Sequence, residues 1–367
     1  MKNITNIFKN NPVFTTSFIL AGISILFGNL NLEFIKFNII FTLFGMMLVL
    51  IYFENSMILN KLATLFIVKS KNTRNMVQKV LIFSFISSFF LSNDVTVLTI
   101  LPIYLKMISM IDNFKGRIVG AALIPVASNM GGIFFPFSNP QNLIIFDSFE
   151  IGLLDFISVT GPIMVLGFVL IILMTFAFVE KKKTKLKEKH YEIDKSLVLQ
   201  GSIGLTLMIL CVFSILPVYS VVVIISIYTL LRYSKFFKSV DYTLLLTFVF
   251  FFIIVNNISS IKIVKDFIEN NLSTAKSTMI GSITLSQVMS NVPTTILMIP
   301  YISSPKALLF GVNIGGLGTI LASLTNLIGF DLFAQKMPYS KNKFLLFFTI
   351  ANFAMILIFV FVFIWFV

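Results

Sequence analysis

The chain has 367 residues, 57% hydrophobic and 14% aromatic against 12% charged, with a mean hydropathy of +0.98, which excludes a soluble globular domain. Its apolar runs are Leu-, Ile- and Phe-rich on every side, not the alternating segments of about 10 residues that a β-barrel requires. The net charge of +13 comes from Lys and Arg dispersed in short loops without interleaved exposed aromatics, so nucleic acid is no partner, and one Cys and one His leave no disulfide and no soft metal site.

In chain order, Lys2 and Lys9 precede an apolar stretch with no small-residue cleavage site, read as a retained first crossing at 12–30. A crossing at 35–53 leads into a mixed-charge segment, 55–75, expected to lie at the interface as an amphipathic helix. The stretch 77–110 carries Ser92-Asn93-Asp94-Val95-Thr96 near its middle between helix-compatible arms and reads as a re-entrant hairpin. Crossings follow at 117–146 and 153–179, the first broken by Asn129-Met130-Gly131-Gly132. The Lys- and Glu-rich linker from Glu180 to Lys195, which contains His190, reads as a solvated cytoplasmic segment. Crossings at 196–216 (with Cys211 as a packing residue), 217–232 and 241–257 lead to a second interfacial segment, 258–276. A second hairpin, 277–302, carries Ser290-Asn291-Val292-Pro293-Thr294, and crossings at 306–329 and 344–366 complete the chain.

The two hairpin motifs share the pattern S-N-x-x-T-x5-P, ending at Pro102 and Pro300. A second pair follows in the same order: Asn129-Met130-Gly131-Gly132, nine residues, Asn142-Leu143-Ile144, against Asn313-Ile314-Gly315-Gly316, nine residues, Asn326-Leu327-Ile328. Identical internal offsets indicate a duplicated chain. With the N-terminus inside, all of the 28 Lys and Arg except Lys36, Lys262, Lys265, Lys276 and Lys306 fall on cytoplasmic segments, as the positive-inside rule requires. Treating either hairpin as a full crossing would invert everything after it. The first hairpin then enters from the cytoplasm and the second from outside, so the halves form two inverted-topology repeats of an all-α polytopic membrane protein, with 196–216 as connector. The expected division is a first scaffold part at 1–75, a first transport part at 76–180, the linker 181–195, a second scaffold part at 196–273 and a second transport part at 274–367.

Polar, helix-breaking segments at matching places in two halves of a membrane protein point to a secondary transporter's binding site. Non-helical backbone is tolerated at membrane depth only where it is buried in protein or lines a cavity. Its free carbonyls can hold a hard cation and its free amides an anion. One coupling cation, Na+ or H+, is expected at Ser92, Asn93, Asp94, Asn129 and Gly131, and a second at Ser290, Asn291, Asn313 and Gly315. The substrate is expected between the tips, near Thr96, Asn139, Thr294 and Thr325. The glycines are expected to let the backbone open toward an ion, and Pro140 and Pro293 to remove helical hydrogen bonds. Asp94 alone among the fifteen acids lies in mid-hairpin. An intramembrane carboxylate is functional by default, binding Na+ or a proton, while the plainer alternative is that it caps a half-helix. No Lys or Arg lies in the four motifs, so an anion would be held by amides, hydroxyls and co-bound cations. Without H-E-x-x-H, G-x-S-x-G or a second intramembrane acid, no enzyme and no resident cofactor are expected.

These residues resemble the ion transporter superfamily: the citrate-transporter-like permeases, including divalent anion/sodium symporters and arsenite permease relatives. The resemblance implies a transport domain of both hairpins and broken helices moving against a scaffold in an elevator-like manner, within a homodimer in the plasma membrane. Ser92 and Asn93 match the first tip motif, and Ser290, Asn291 and Thr294 the second. In sodium-coupled members these tips bind Na+ and contact substrate carboxylates. Asp94 and Val292 stand where dicarboxylate symporters typically have Thr, and an Asn-Asp tip is more like the arsenite-permease and sodium/proton-antiporter branches. The expected function is secondary active transport of a small carboxylate or inorganic oxyanion coupled to Na+ or H+. The alternative is a Na+/H+ antiporter or arsenite-type efflux permease with Asp94 as coupling residue.

Overall fold

A computed structural model describes residues 12–111, 114–183, 191–272, 274–302 and 304–367. The predicted Lys2 and Lys9 anchors, His190 and the middle of the charged linker lie outside the described residues. Among the described residues the chain is helical with no strand, and a single antiparallel bridge joins Asn72 to Lys183.

The first half runs α1 (Pro12–Phe27), α2 (Phe37–Asn55), α3 (Ile58–Val68), α4 (Thr73–Phe90), α5 (Asn93–Ile108), α6 (Arg117–Gly131), α7 (Pro140–Ser148) and α8 (Leu153–Phe178). After α9 (Lys195–Val212), the second half runs α10 (Val218–Tyr233), α11 (Tyr242–Ser259), α12 (Lys262–Asn271), α13 (Ala275–Met289), α14 (Asn291–Met298), α15 (Pro305–Gly315), α16 (Leu324–Lys336) and α17 (Lys341–Phe363). Six helical spans, at Phe37–Asn55, Leu153–Phe178, Lys195–Val212, Val218–Ser239, Tyr242–Ser259 and Pro338–Phe363, are long and apolar enough to cross a membrane. The protein is a multi-pass membrane protein. The first predicted crossing is the shorter apolar helix α1. The predicted crossings 117–146 and 306–329 are each two helices, α6 with α7 and α15 with α16, separated by non-helical turns.

Both hairpins form where the S-N motifs stand. α4 turns into α5 at Leu91–Ser92, and α13 into α14 at Ser290. The two segments expected at the interface contain the helices α3 and α12, and α12 keeps Ile263 and Phe267 exposed while burying Ile268. Several predicted boundaries shift: the crossing expected at 217–232 continues to Ser239, the last one begins at Pro338 and not at 344, and α4 starts at Thr73, inside the expected interfacial segment. α16 continues to Lys336, past the expected end at 329, where Phe333 is fully buried and packs tilted against Phe344, the ring centroids 4.6 Å apart. Pro338 then stops the helix.

The centre is built on α6 and α15. In α6 every residue from Gly120 to Gly131 is buried, and in α15 every residue from Ala307 to Gly315. Their Ala- and Gly-rich sequences permit that, because small side chains let neighbouring helices approach closely where no hydrophobic effect drives association. α4 packs along α6 and α13 along α15. Contacts between halves follow a reciprocal pattern: α5 packs on α16 and α14 on α7, α1 on α11 and α2 on α10, α8 on α15 and α17 on α6. Where the linker leaves α8 it is tied to the base of the first hairpin. Arg74 Nε donates to the Val179 carbonyl at 2.8 Å, and Thr73 N donates to the Lys182 carbonyl at 2.9 Å.

Candidate functional site

Four half-helices begin inside the protein: α5 and α14 at the hairpin tips, α7 and α16 after the breaks. Their N-terminal ends point unpaired backbone amides into the same region where α6 and α15 end. In the first half both starts are capped. Ser92 Oγ accepts from Val95 N at 3.3 Å, and Asn139 Oδ1 accepts from Asn142 N at 3.2 Å, with Pro140 in the first helical position, where it has no hydrogen bond to lose. In the second half neither Ser290 nor Ser323 caps its helix. The Ser290 hydroxyl turns instead to Asn291 Oδ1 and the Ala322 carbonyl, each at 3.4 Å, and that of Ser323 to Asn129 Oδ1, also at 3.4 Å. Ser290 sits at φ 74°, a left-handed conformation that costs a non-glycine residue on the order of 1–3 kcal/mol.

The asparagines of the break motifs join the two halves. Asn129 Nδ2 donates to Asn326 Oδ1 at 2.8 Å, and Asn313 Nδ2 donates to Asn142 Oδ1, also at 2.8 Å. Each half contributes the first asparagine of one pair and the second asparagine of the other. Around the first pair, Asn93 Nδ2 donates to Asn129 Oδ1 at 3.1 Å, and Ser128 Oγ donates to the Asn93 carbonyl at 2.9 Å. Asn326 Nδ2 also reaches the Gly316 carbonyl at 2.9 Å. In the first half the matching carbonyl, that of Gly132, is held by Asn139, whose Nδ2 donates to it at 3.0 Å, although Asn142 is the residue that matches Asn326 in the motif. In the second half Gln287 holds the break: its Nε2 donates to the Gly315 carbonyl at 2.8 Å, and its Oε1 accepts from Thr319 N at 2.9 Å.

Asp94 lies half-buried in the first turn of α5, where the helix dipole favours a negative charge. Ser92 makes the cap, so the plainer reading of Asp94 as the capping residue does not hold. Its carboxylate crosses to the other half and accepts from Thr325 Oγ1 at 2.6 Å. The corresponding pair in the second half is Val292 and Gln141, so the site carries its acid on one side.

Three buried polar atoms of the asparagine network have no hydrogen-bond partner: Asn93 Oδ1, Asn313 Oδ1 and Asn142 Nδ2. Leaving such a group unpaired costs about 1–3 kcal/mol, which marks these positions for a bound ion or water. The two free amide oxygens suit a hard cation such as Na+, which takes oxygen ligands. Among the described residues no cluster of three or more His, Cys, Asp or Glu stands ready for a metal.

The expected site residues thus fall into groups. Asn93, Asp94, Asn129 and Thr325 form one cross-half network, and Asn313 and Asn139 belong to a second, with Asn139 reaching Asn142 through its cap. Asn291 lies against Gly316 at the second tip, and Thr294 Oγ1 bonds back to the Ser290 carbonyl at 2.8 Å. Thr96 is fully buried on α5 beside a narrow crevice whose other lining residues include Leu59 and Phe83 and none of the asparagines, and its Oγ1 has no hydrogen-bond partner. The glycines act otherwise than expected. Gly132 and Gly316 have helical φ of −68° and −65°, and among the break glycines only Gly318, at 94°, needs a left-handed backbone. What Gly131 and Gly132 provide is clearance, since a Cβ there would collide with the Phe85 carbonyl and the Asn93 amide. Asn142 and Asn326, absent from the expected site, turn out to be the second members of both cross-half pairs. Their matching offset from the Gly-Gly dipeptides was the signal that could have found them. Ser128 and Gln287 carried no such signal.

The model of a family described as citrate transporter matches residues 7–308 of this chain. An uncharacterized transporter of Methanocaldococcus jannaschii is 31% identical over 323 residues, which span 85% of this chain and 86% of that protein. The inner membrane protein YbiR of Escherichia coli K12 is 26% identical over 300 residues, 80% of this chain and 79% of its own length.

Proposed function

The chain belongs to the citrate transporter family, and from that premise we propose that it moves a small anion, a carboxylate or inorganic oxyanion, across the plasma membrane, coupled to Na+ or H+ by alternating access. The observation that carries this reading is the reciprocal pairing of Asn129 with Asn326 and of Asn313 with Asn142, which ties the broken helix of each half to that of the other. Crossed pairs of this kind, with the reciprocal helix contacts, support two inverted repeats and a single site between them. On this reading residues 76–180 and 274–367 form the transport part, and 1–75 and 196–273 the scaffold of an elevator, in a homodimer with a cytoplasmic N-terminus.

The asymmetry of the halves gives each a role. The first half carries Asp94 and the free Asn93 oxygen, and supports a cation. The second half leaves the starts of α14 and α16 uncapped, and supports an anion on their amides. Ser290, Asn291, Asn313 and Gly315 would hold a second cation, with the substrate between the tips near Asn139, Thr294 and Thr325. A second reading, exchange of a cation or efflux of a metalloid against protons, is favoured by one observation: the site's acid, Asp94, is hydrogen-bonded across the two halves to Thr325.

Radiotracer uptake and efflux in proteoliposomes, scanning dicarboxylates, citrate, sulfate and arsenite under imposed Na+ and proton gradients, tests both readings. Anion accumulation that follows the cation gradient supports the first. Flux confined to cations or arsenite supports the second.

A further inference from the structure

A cavity of about 220 Å³ lies away from the asparagine network, between the far end of α14, the last turns of α7 and α11, and the residues that precede α2. It is far larger than the ~10–15 Å³ that admits one water. Its polar lining is Lys36, Ser148, Asn256 and Ser259, and Ile296 and Pro300 supply part of its apolar wall. Ser148 Oγ and Ser259 Oγ are both enclosed and both without a hydrogen-bond partner. Both serines line the one cavity, and since an unsatisfied buried hydroxyl costs about 1–3 kcal/mol, rotating either side chain toward an acceptor held in the cavity would recover that cost. The donors present are an ammonium, two hydroxyls and an amide. No acidic residue lines the cavity, although Asp147 is close enough to Lys36 to feel its charge.

The position adds to the chemistry. Lys36 is one of the five basic residues that the charge count leaves off the cytoplasmic side. α14 spans 8 residues, so its tip at Asn291 lies about 12 Å from the cavity end at 1.5 Å per residue. The lining comes from both the expected transport part (α7, α14) and the expected scaffold (Lys36, α11).

We propose that this cavity is a second, outer binding site for a small carboxylate or oxyanion, held by Lys36, Ser148, Ser259 and Asn256, which the substrate occupies before it reaches the hairpin tips. The proposal rests on the reading of the protein as an anion transporter. Closure of the wall formed by α7 and α14 against α11 would then carry the anion inward.

The test has a binding arm and a transport arm. In a background with Cys211→Ala, Ser259→Cys places a thiol in the cavity, and its modification by a membrane-impermeant thiol reagent is timed with citrate, sulfate or chloride present. Citrate or sulfate slows modification several-fold where chloride does not, and Lys36→Met abolishes the protection. An equal rate under all three overturns the site. In proteoliposomes, Lys36→Met raises the KM for the transported anion about tenfold, the loss of one charge-assisted hydrogen bond, with a smaller change in Vmax, and Lys36→Arg recovers most of it. An unchanged KM in a monodisperse Lys36→Met protein overturns the proposal, and this arm decides where the thiol does not react. Protection of the thiol with no anion flux in the wild type would leave the site standing and remove the transport reading instead.

Discussion

The two hairpin tips begin from nearly the same sequence and end in different states. At the first, Ser92 caps α5 in an ordinary extended conformation, Asn93 is clasped to Asn129, and Asp94 places a carboxylate against the other half. At the second, Ser290 is held at φ 74° and caps nothing, and Val292 stands where the acid would be. Two matching motifs thus carry a negative charge on one side and uncapped helix starts on the other. On the proposed function, a site assembled from both would hold a cation and an anion side by side without any Lys or Arg in the motifs.

That contrast can be broken most severely at Asp94. Asp94→Asn keeps the shape and removes the charge, and should lower gradient-driven flux by roughly the 5- to 150-fold range of coupling energies, whereas Val292→Thr should leave flux nearly unchanged. Equal flux in wild type and Asp94→Asn would remove the acid from the mechanism. The cross-half pairs come next. Asn129→Ala and Asn326→Ala each strand a buried partner and should cost about 1–3 kcal/mol. The double variant should cost much less than the sum, since the two share one interaction. Additive losses of thermal stability would mean that the pair does not couple the halves.

Smaller effects sharpen the difference in capping. Asn139→Ala removes a real cap and should cost about 1 kcal/mol, while Ser323→Ala, losing only a 3.4 Å contact, should be close to neutral. At the tips themselves the signs should differ: Ser92→Ala destabilises by about 1 kcal/mol, and Ser290→Gly stabilises by about 1 kcal/mol by relieving the left-handed backbone. Melting curves of the four purified variants in one detergent would check these values. The same sign at Ser92 and Ser290 would contradict the asymmetry.

Much of the architecture was legible because polar, helix-breaking residues inside apolar sequence have few explanations. Both helix turns and both broken helices stand where their motifs do. The aim of the side chains was not legible. Nothing in the sequence says that Thr96 lies beside a crevice lined by Leu59 and Phe83 while Asp94, two residues earlier, reaches Thr325. Nor does a Gly-Gly dipeptide reveal whether it needs conformational freedom or clearance, because that depends on what packs against it; here Gly132 meets Asn93. The pairing of Asn142 and Asn326 with partners in the opposite half depends on three-dimensional contact, and only their equal offsets hinted at it.

The most direct test of the central claim is an electrical recording from proteoliposomes on a solid-supported membrane, in which a jump in citrate, dicarboxylate or sulfate concentration is applied with and without a Na+ or proton gradient. Coupled anion transport predicts a transient current for at least one of these anions that depends on the coupling cation and falls at least several-fold in Asp94→Asn. A well-folded wild-type protein that gives no current and no tracer flux with any of them, yet exchanges cations for protons, would contradict it.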